Sequence, residues 1–152
     1  MRDELTELMD TAIYREIASQ AFYIAGQNKT DDPSARALMA ELAEEESQHA
    51  RWLEALKEKG LADQVWYREQ VPNLKISEYL TGGDSLKDAN MQDTLLFAMK
   101  REQQSVEFYT RMSAATEDEV ARHLCERLIH EELKHKLKLE MLYDDMLSAG
   151  ED

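Results

Sequence analysis

Hydrophobic residues recur every three or four positions along four long stretches of the chain, and this spacing predicts four α-helices. Only five glycines and two prolines occur in the 152 residues, which favours long helices with few turns. We therefore predict an all-α protein. The predicted helices cover Arg2–Gln27, Pro33–Lys59, Asp88–Ala115 and Thr116 to about Ser148.

Residues with known helix-terminal preferences mark several of these boundaries. Asp32 is a predicted N-cap, and Pro33 follows at the first helical position, where its missing N–H has no effect. Gly60 is a predicted helix stop. Thr116-Glu-Asp-Glu119 has the spacing of a capping box, in which Thr116 caps the fourth helix and Glu119 bonds back to it.

The segment from Leu61 to Ala89 lacks long periodicity and contains Pro72 and the Gly82-Gly83 pair, with one brief helical turn expected at Ile76–Leu80. A connection of this length can travel the full height of a helical bundle, whereas the short turns elsewhere make neighbouring helices antiparallel. We predict one domain over residues 1–152. Its expected architecture is an antiparallel four-helix bundle with one long crossover between helices two and three.

The two halves of the chain carry the same pattern of glutamate and histidine. Glu46-Ser-Gln-His49 recurs as Glu132-Leu-Lys-His135, at an offset of 86 residues. Residues three apart on a helix lie about 60° apart around its axis, so each motif presents a carboxylate and an imidazole on one face. Each pair can therefore chelate one ion.

A further glutamate precedes each motif by 30 residues: Glu16 in the first half and Glu102 in the second. All these side chains interrupt apolar stripes near the middle of their helices, so they should meet inside the bundle. Four buried carboxylates would repel one another unless cations neutralised them. The sequence therefore predicts a centre of two divalent metals, with these ligands: Glu16, Glu46, His49, Glu102, Glu132 and His135.

In the simplest assignment, Glu46 and Glu132 bridge the two ions, and each ion also binds one histidine and one terminal carboxylate from Glu16 or Glu102. Periodicity does not indicate which terminal glutamate shares an ion with which histidine. It also does not distinguish iron from manganese, because both accept carboxylate and imidazole ligands. Two iron ions and two manganese ions therefore both stay open at this point.

Several nearby residues have less specific interpretations. Tyr23 and Tyr109 follow the first glutamates by seven residues and either hydrogen-bond a ligand carboxylate or simply fill the core. Cys125 is a predicted core residue. We expect Glu45 and Glu131 in flanking ion pairs or contacts to the ligands, Arg15 and Arg101 in flanking ion pairs, and His123 and His130 at the surface.

The formal net charge of −14 disfavours nucleic acid and anionic membranes as partners. A single cysteine excludes an internal disulfide and suits a reducing compartment. Met1-Arg-Asp-Glu4 lacks the apolar core of a signal peptide, and no apolar run is long enough to span a bilayer. We therefore expect a soluble, cytoplasmic protein.

The repeated motifs resemble those of the rubrerythrin branch of the ferritin-like superfamily, especially its short members without a rubredoxin domain. The resemblance implies a four-helix bundle, a carboxylate-bridged di-iron centre and a homodimer. It rests on four segments, which are Glu16–Tyr23, Glu45–His49, Glu102–Tyr109 and Glu131–His135.

Two features depart from the rubrerythrin pattern. A four-cysteine rubredoxin iron site is missing, so electrons would have to come from a separate donor protein. Ser105 also stands where rubrerythrins place an extra glutamate that joins a redox-linked ligand exchange. The leading hypothesis is a non-haem di-iron oxidoreductase that reduces peroxide or dioxygen. A ferroxidase or iron-binding protein is the second, and a metal-free module with buried Glu/His ion pairs is the third.

Overall fold

A computed structural model of the chain describes residues 4–60 and 90–150, and throughout these two ranges the regular structure is helical, with no strand. The predicted all-α class is confirmed. The predicted crossover over 61–89 lies outside the described residues. The four helices are α1 (Glu4–Asn28), α2 (Pro33–Gly60), α3 (Met91–Ala115) and α4 (Glu119–Gly150).

The start of α2 is capped as its sequence predicts. Asp32 Oδ2 accepts a hydrogen bond of 2.8 Å from the backbone N–H of Ala35, and Pro33 is the first helical residue. The Thr30 hydroxyl accepts from the Asp32 N–H at 3.1 Å, and Arg36 donates to the Thr30 carbonyl at 3.1 Å. The bond to Asp32 satisfies the N–H of Ala35, one of the donors that the first helical turn leaves without a partner.

The capping box predicted for α4 is wrong in its register. Asp118 is the N-cap, because its Oδ1 accepts from the Ala121 N–H at 3.0 Å. Thr116 instead accepts from the Asp118 N–H at 3.1 Å, two residues before the helix begins. Arg122 donates to the Thr116 carbonyl at 2.9 Å, so this cap repeats the α2 cap at the same offset of 86. The short Asp118 side chain is the right length to accept from the N–H three residues later. Glu119 is therefore the first helical residue.

Contacts between helices define their directions. Asp10 near the start of α1 pairs with Lys57 near the end of α2, so these helices are antiparallel. Tyr23 on α1 reaches Glu102 on α3, and Tyr109 reaches Glu16, so α1 and α3 are also antiparallel. It follows that α2 and α3 run in the same direction. The end of α2 and the start of α3 therefore lie at opposite ends of the bundle.

Two apolar clusters fill the bundle on either side of its middle, and the repeat relates them. The Phe22 and Tyr23 rings belong to one cluster, and the Phe108 and Tyr109 rings belong to the other. The ring pairs have the same edge-to-face geometry, with centroids 5.3 and 5.4 Å apart. The predicted ligands lie between these clusters, where they are closed off from water.

Candidate metal centre

The six predicted ligands come together in the middle of the bundle. α1 and α3 each contribute one glutamate, and α2 and α4 each contribute a glutamate and a histidine. All six are buried, with at most 2% of each exposed. A polar cluster so fully enclosed by apolar side chains requires internal partners or bound cations.

The first half of the chain supplies one side of the cluster. His49 Nδ1 lies 2.9 Å from Glu16 Oε1, within hydrogen-bond distance. The same nitrogen lies 3.3 Å from Glu46 Oε1 and 3.4 Å from Glu132 Oε1. Nδ1 is therefore the His49 nitrogen that faces the carboxylates.

The second half supplies the other side with a similar arrangement. His135 Nδ1 lies 3.1 Å from Glu46 Oε1, 3.3 Å from Glu132 Oε1 and 3.6 Å from Glu102 Oε2. The two imidazole rings are nearly parallel, with centroids 5.5 Å apart. Each terminal glutamate thus lies beside the histidine of its own half, Glu16 with His49 and Glu102 with His135.

The central carboxylates lie between the two imidazoles. One oxygen of Glu46 and one of Glu132 each lie within 3.4 Å of both Nδ1 atoms. Yet neither oxygen of either carboxylate makes a hydrogen bond within the described part of the chain. A buried anionic group without donors is costly, whereas a cation between the carboxylates would satisfy it.

This donor set fits divalent metal. One ligand atom from each of Glu46, His49, Glu132 and His135 lies within 4.8 Å of the others, and all four residues are buried. Glu16 and Glu102 extend the set by their contacts to the histidines. Carboxylate oxygen together with imidazole nitrogen suits iron, manganese or zinc. The assignment of terminal and bridging ligands stays a prediction.

Burial and mutual repulsion favour the protonated form of the four carboxyl groups. Desolvation and the charge of Glu132 raise the pKa of Glu16 to about 7. Glu102 has the same causes and the same result, a pKa of about 7. The pKa values of Glu46 and Glu132 are also raised, first by burial and then by neighbouring carboxylates.

The pKa values of the two histidines are also raised, although burial alone would lower them. Burial by itself lowers the pKa of His49, but the nearby carboxyl groups of Glu132, Glu16 and Glu46 outweigh burial and raise this pKa to about 12. The pKa of His135 is likewise raised, despite burial, by its contacts with carboxylates. Without metal the cluster therefore retains protons, and metal ions must displace them.

The two tyrosines connect the halves of the repeat. Tyr23 donates to Glu102 Oε1 at 2.5 Å, and Tyr109 donates to Glu16 Oε2 at 3.0 Å. Of the two interpretations of these tyrosines, the hydrogen bond to a predicted ligand is the one observed. Burial, followed by the charge of the accepting glutamate, raises the pKa of each phenol well above its usual range. Each tyrosine therefore stays a donor.

Two further glutamates lie behind the imidazoles. Glu45 Oε1 is 2.9 Å from His135 Nε2, and Glu131 Oε1 is 3.9 Å from His49 Nε2. The Glu45 contact is within hydrogen-bond distance, so it fixes the orientation of the His135 ring and leaves Nδ1 to face a metal. The predicted flanking role of Glu45 and Glu131 is confirmed, with each glutamate meeting the opposite half's histidine.

Two further histidines, the single cysteine and two arginines lie around the centre. His123 and His130 are exposed, and Cys125 is buried, with a thiol pKa raised by burial to about 11. The two arginines, which we expected in flanking ion pairs, each lie over an aromatic ring of the other half. Arg15 lies 5.0 Å from the centroid of Phe108, and Arg101 lies 5.0 Å from that of Phe22.

Trp52 is a contact of the site that sequence reasoning missed. Its ring lies 5.2 Å from that of His49, with the Arg127 guanidinium 4.2 Å over the indole. In the other half the corresponding pair is Lys138 and Glu41, which form a salt bridge of 2.6 Å. The position of Trp52, three residues after His49, was the available signal.

The chain matches a known protein family over most of its length. The rubrerythrin family matches residues 7–143, a range that contains all six predicted ligands. The chain belongs to the rubrerythrin family. Family membership together with the buried Glu/His cluster supports a di-iron protein. No curated protein matches this rubrerythrin-family chain significantly.

Two solved structures resemble this rubrerythrin-family chain in fold. A hypothetical protein from Pyrococcus furiosus has a TM-score of 0.69 at 22% identity, covering 95% of this chain and 91% of that one. A two-domain protein with DJ-1/ThiJ/PfpI-like and ferritin-like domains, from Anabaena variabilis, has a TM-score of 0.70 at 18% identity. That match covers 94% of this chain and 40% of the other. Both likenesses support the ferritin-like fold.

Among residues 4–60 and 90–150, no helix has an apolar stretch long enough to cross a membrane.

Proposed function

We propose that this rubrerythrin-family protein is a non-haem di-iron oxidoreductase that reduces hydrogen peroxide or dioxygen. The residues proposed to hold two iron ions are Glu16, Glu46, His49, Glu102, Glu132 and His135. The observation that carries the proposal is the pair of buried central carboxylates, Glu46 and Glu132, with no hydrogen-bond donor among the described residues. Two cations between the imidazoles would satisfy both carboxylates at once.

The surrounding side chains would hold this ligand set in place. Glu45 orients the His135 imidazole through Nε2, and the two tyrosines anchor the terminal glutamates. The apolar clusters on both sides exclude bulk water, which strengthens the electrostatic interactions inside. A bound di-iron pair would supply two electrons at one place. Peroxide reduction requires two electrons, because one hydrogen peroxide, two protons and two electrons give two waters.

The electrons would come from a separate reduced donor protein that transfers one electron at a time. Residues 1–152 contain one cysteine, Cys125, and therefore cannot form a four-cysteine iron site within one chain. We further propose a cytoplasmic homodimer that binds neither nucleic acid nor membranes, in keeping with the net charge of −14.

A ferroxidase or iron-binding role is the second candidate, favoured by the same negative charge. An acidic surface attracts Fe(II) and raises its local concentration. Manganese in place of iron is the alternative cofactor, because the ligand set suits both metals.

Anaerobic purification followed by metal analysis and optical spectroscopy tests the proposal. We expect two iron ions per chain, and oxidation of the reduced protein by peroxide or dioxygen without further iron uptake. Glu46→Gln should lose the metal, whereas the control Glu44→Gln, at an exposed position of the same helix, should retain it. Continued Fe(II) oxidation with mineral formation would favour the ferroxidase. Protein that neither carries nor takes up metal would exclude both roles.

A further inference from the structure

The two buried histidines of the centre differ in which ring nitrogen has a partner. His135 Nε2 lies 2.9 Å from Glu45 Oε1, within hydrogen-bond distance, and its Nδ1 makes no hydrogen bond within the described part of the chain. His49 shows the reverse arrangement. Its Nδ1 lies 2.9 Å from Glu16 Oε1, and its Nε2 has no hydrogen-bond partner among residues 4–60 and 90–150. The repeat therefore does not extend to the contacts of the imidazoles.

This difference affects how readily each ring can bind an ion. Nδ1 is the nitrogen that faces the central carboxylates in both histidines. On the His49 side, an ion that binds Nδ1 must replace the contact with Glu16. On the His135 side there is no such hydrogen bond to replace, and the Glu45 carboxylate behind the ring holds its orientation. The His135 ring is thus already arranged for metal, and the His49 ring is not.

One substitution between the two halves accounts for the difference in geometry. Glu131 is the counterpart of Glu45 at the offset of 86, yet its Oε1 lies 3.9 Å from His49 Nε2. The other oxygen of Glu131 lies 3.5 Å from the Lys134 ammonium, three residues later on α4. The counterpart of Lys134 is Gln48, which has no charge. Lys134 therefore competes with His49 for Glu131, whereas Gln48 leaves Glu45 without that competitor.

The groups packed against His49 do not replace the missing carboxylate contact. The Trp52 ring lies 5.2 Å from the His49 ring at an interplanar angle of 31°, and the Arg127 guanidinium lies 4.2 Å over the indole. The polar N–H groups of tryptophan and arginine can only donate hydrogen bonds, so neither side chain can accept one from Nε2. Packing, and not a hydrogen bond behind the ring, holds His49 in place.

We propose that the two metal positions are not equivalent, and that the position beside His135 and Glu102 binds its ion more tightly and fills first. The position beside His49 and Glu16 then holds the more weakly bound, exchangeable ion. This inference rests on the proposed di-iron function. Glu45 is a positioning residue in it, because it contacts the His135 ring. Loss of such an outer contact changes metal affinity about 10- to 100-fold, so we expect the two dissociation constants to differ by that factor.

Partial loading with iron tests the order of filling. Metal-free protein would be mixed anaerobically with one Fe(II) per chain and crystallised, and anomalous scattering at the iron edge would give the occupancy of each position. We expect iron mainly beside His135. Equilibrium dialysis with Fe(II) should give two dissociation constants about 10- to 100-fold apart. Equal occupancy of the two positions at one Fe(II) per chain would overturn the inference.

Variants at matched positions of the repeat test the cause. Glu45→Ala should weaken the tighter constant about 10- to 100-fold, whereas Glu131→Ala, the matched control, should change neither constant. The exchange Gln48→Lys/Lys134→Gln moves the competing cation to the other half and should move the first ion to the position beside His49. Circular dichroism checks that each variant folds.

Two results distinguish failure of this inference from failure of the proposed function. An unchanged tighter constant in Glu45→Ala, with the first ion still beside His135, would refute the positioning role of Glu45 while two ions remain bound. Protein that binds no Fe(II) at all would refute the di-iron function and this inference together.

Discussion

Tyr23 donates a hydrogen bond to Glu102, a glutamate that belongs to the other half of the repeat. Tyr109 returns the same bond to Glu16. Each terminal carboxylate thus meets the histidine of its own half and the tyrosine of the other half, which ties the two helical hairpins together through the polar centre.

Tyr23→Phe removes the hydroxyl while preserving the packed ring. We expect the metal-free protein to lose about 1.5–3 kcal/mol of unfolding free energy, because the lost bond is to an ionisable group and the acceptor stays buried. Urea denaturation measures this loss. Tyr14→Phe, at a half-buried position of the same helix, should change stability by much less. Equal effects of the two substitutions would show that the Tyr23 bond contributes nothing specific.

Glu46→Ala and Glu132→Ala test the bridging assignment. If each central carboxylate binds both ions, either substitution should reduce the content of both metals, because both ions lose a ligand together. Metal analysis after dialysis gives the stoichiometry. Glu16→Ala should affect mainly one ion. Loss of a single metal from Glu46→Ala would refute the bridging role of that residue.

Metal removal should lower the melting temperature. Binding that is restricted to the folded state stabilises it by about 2.7 kcal/mol per site at a hundredfold excess over Kd. In a chain of this size, each kcal/mol changes the melting temperature by about 2–4 °C. We therefore expect anaerobic addition of Fe(II) to restore about 5–10 °C or more for the metal-free protein. Melting curves that are identical with and without metal would contradict a buried site.

Rising pH should destabilise the metal-free protein and strengthen metal binding. The folded pKa of Glu16 and Glu102 is about 7, against an ordinary value of 4.5, so the folded state holds extra protons between these two pH values. His49 extends this excess from 6.5 to about 12. Stability therefore falls with pH, by about 1.4 kcal/mol per pH unit for each extra proton. Urea titrations from about pH 5 to about pH 8 check the sign, since a rise in stability would contradict these pKa shifts.

Ser105 should leave the ligand set fixed during redox changes. In the rubrerythrins that this sequence resembles, a glutamate at this position replaces a histidine on one iron, whereas a neutral serine hydroxyl is a poor iron ligand. We expect His49 and His135 to stay bound in crystal structures of both the oxidised and the reduced protein. Movement of an iron from a histidine to another carboxylate would disprove this expectation.

The Ser105→Glu variant tests whether a carboxylate at this position contacts the metal centre or the nearby arginines. Ser105 is one helical turn from Glu102, and it also lines a pocket together with Arg15 and Arg101. A glutamate that entered the metal site would change the optical spectrum of the iron-loaded protein. A glutamate that paired with Arg15 or Arg101 would instead leave the spectrum unchanged.

The sequence by itself determined the four helices and the faces that carry the polar residues. These features depend on local spacing, since a period of 3.6 residues places Glu46 and His49 on one face whatever the helix packs against. The offset of 86 then identified Glu16 and Glu102 as their partners, because both halves repeat one pattern.

Only the tertiary structure decided which groups from different helices meet. Tyr23 is seven residues from Glu16, about 10 Å along one helix, so it cannot reach that carboxylate; the antiparallel α3 brings Glu102 to it instead. The pairing of Glu16 with His49 and the stacking of Arg15 on Phe108 likewise depend on the relative shift and rotation of packed helices. Helical periodicity contains no information on that shift, because side chains from both helices fix it by packing together.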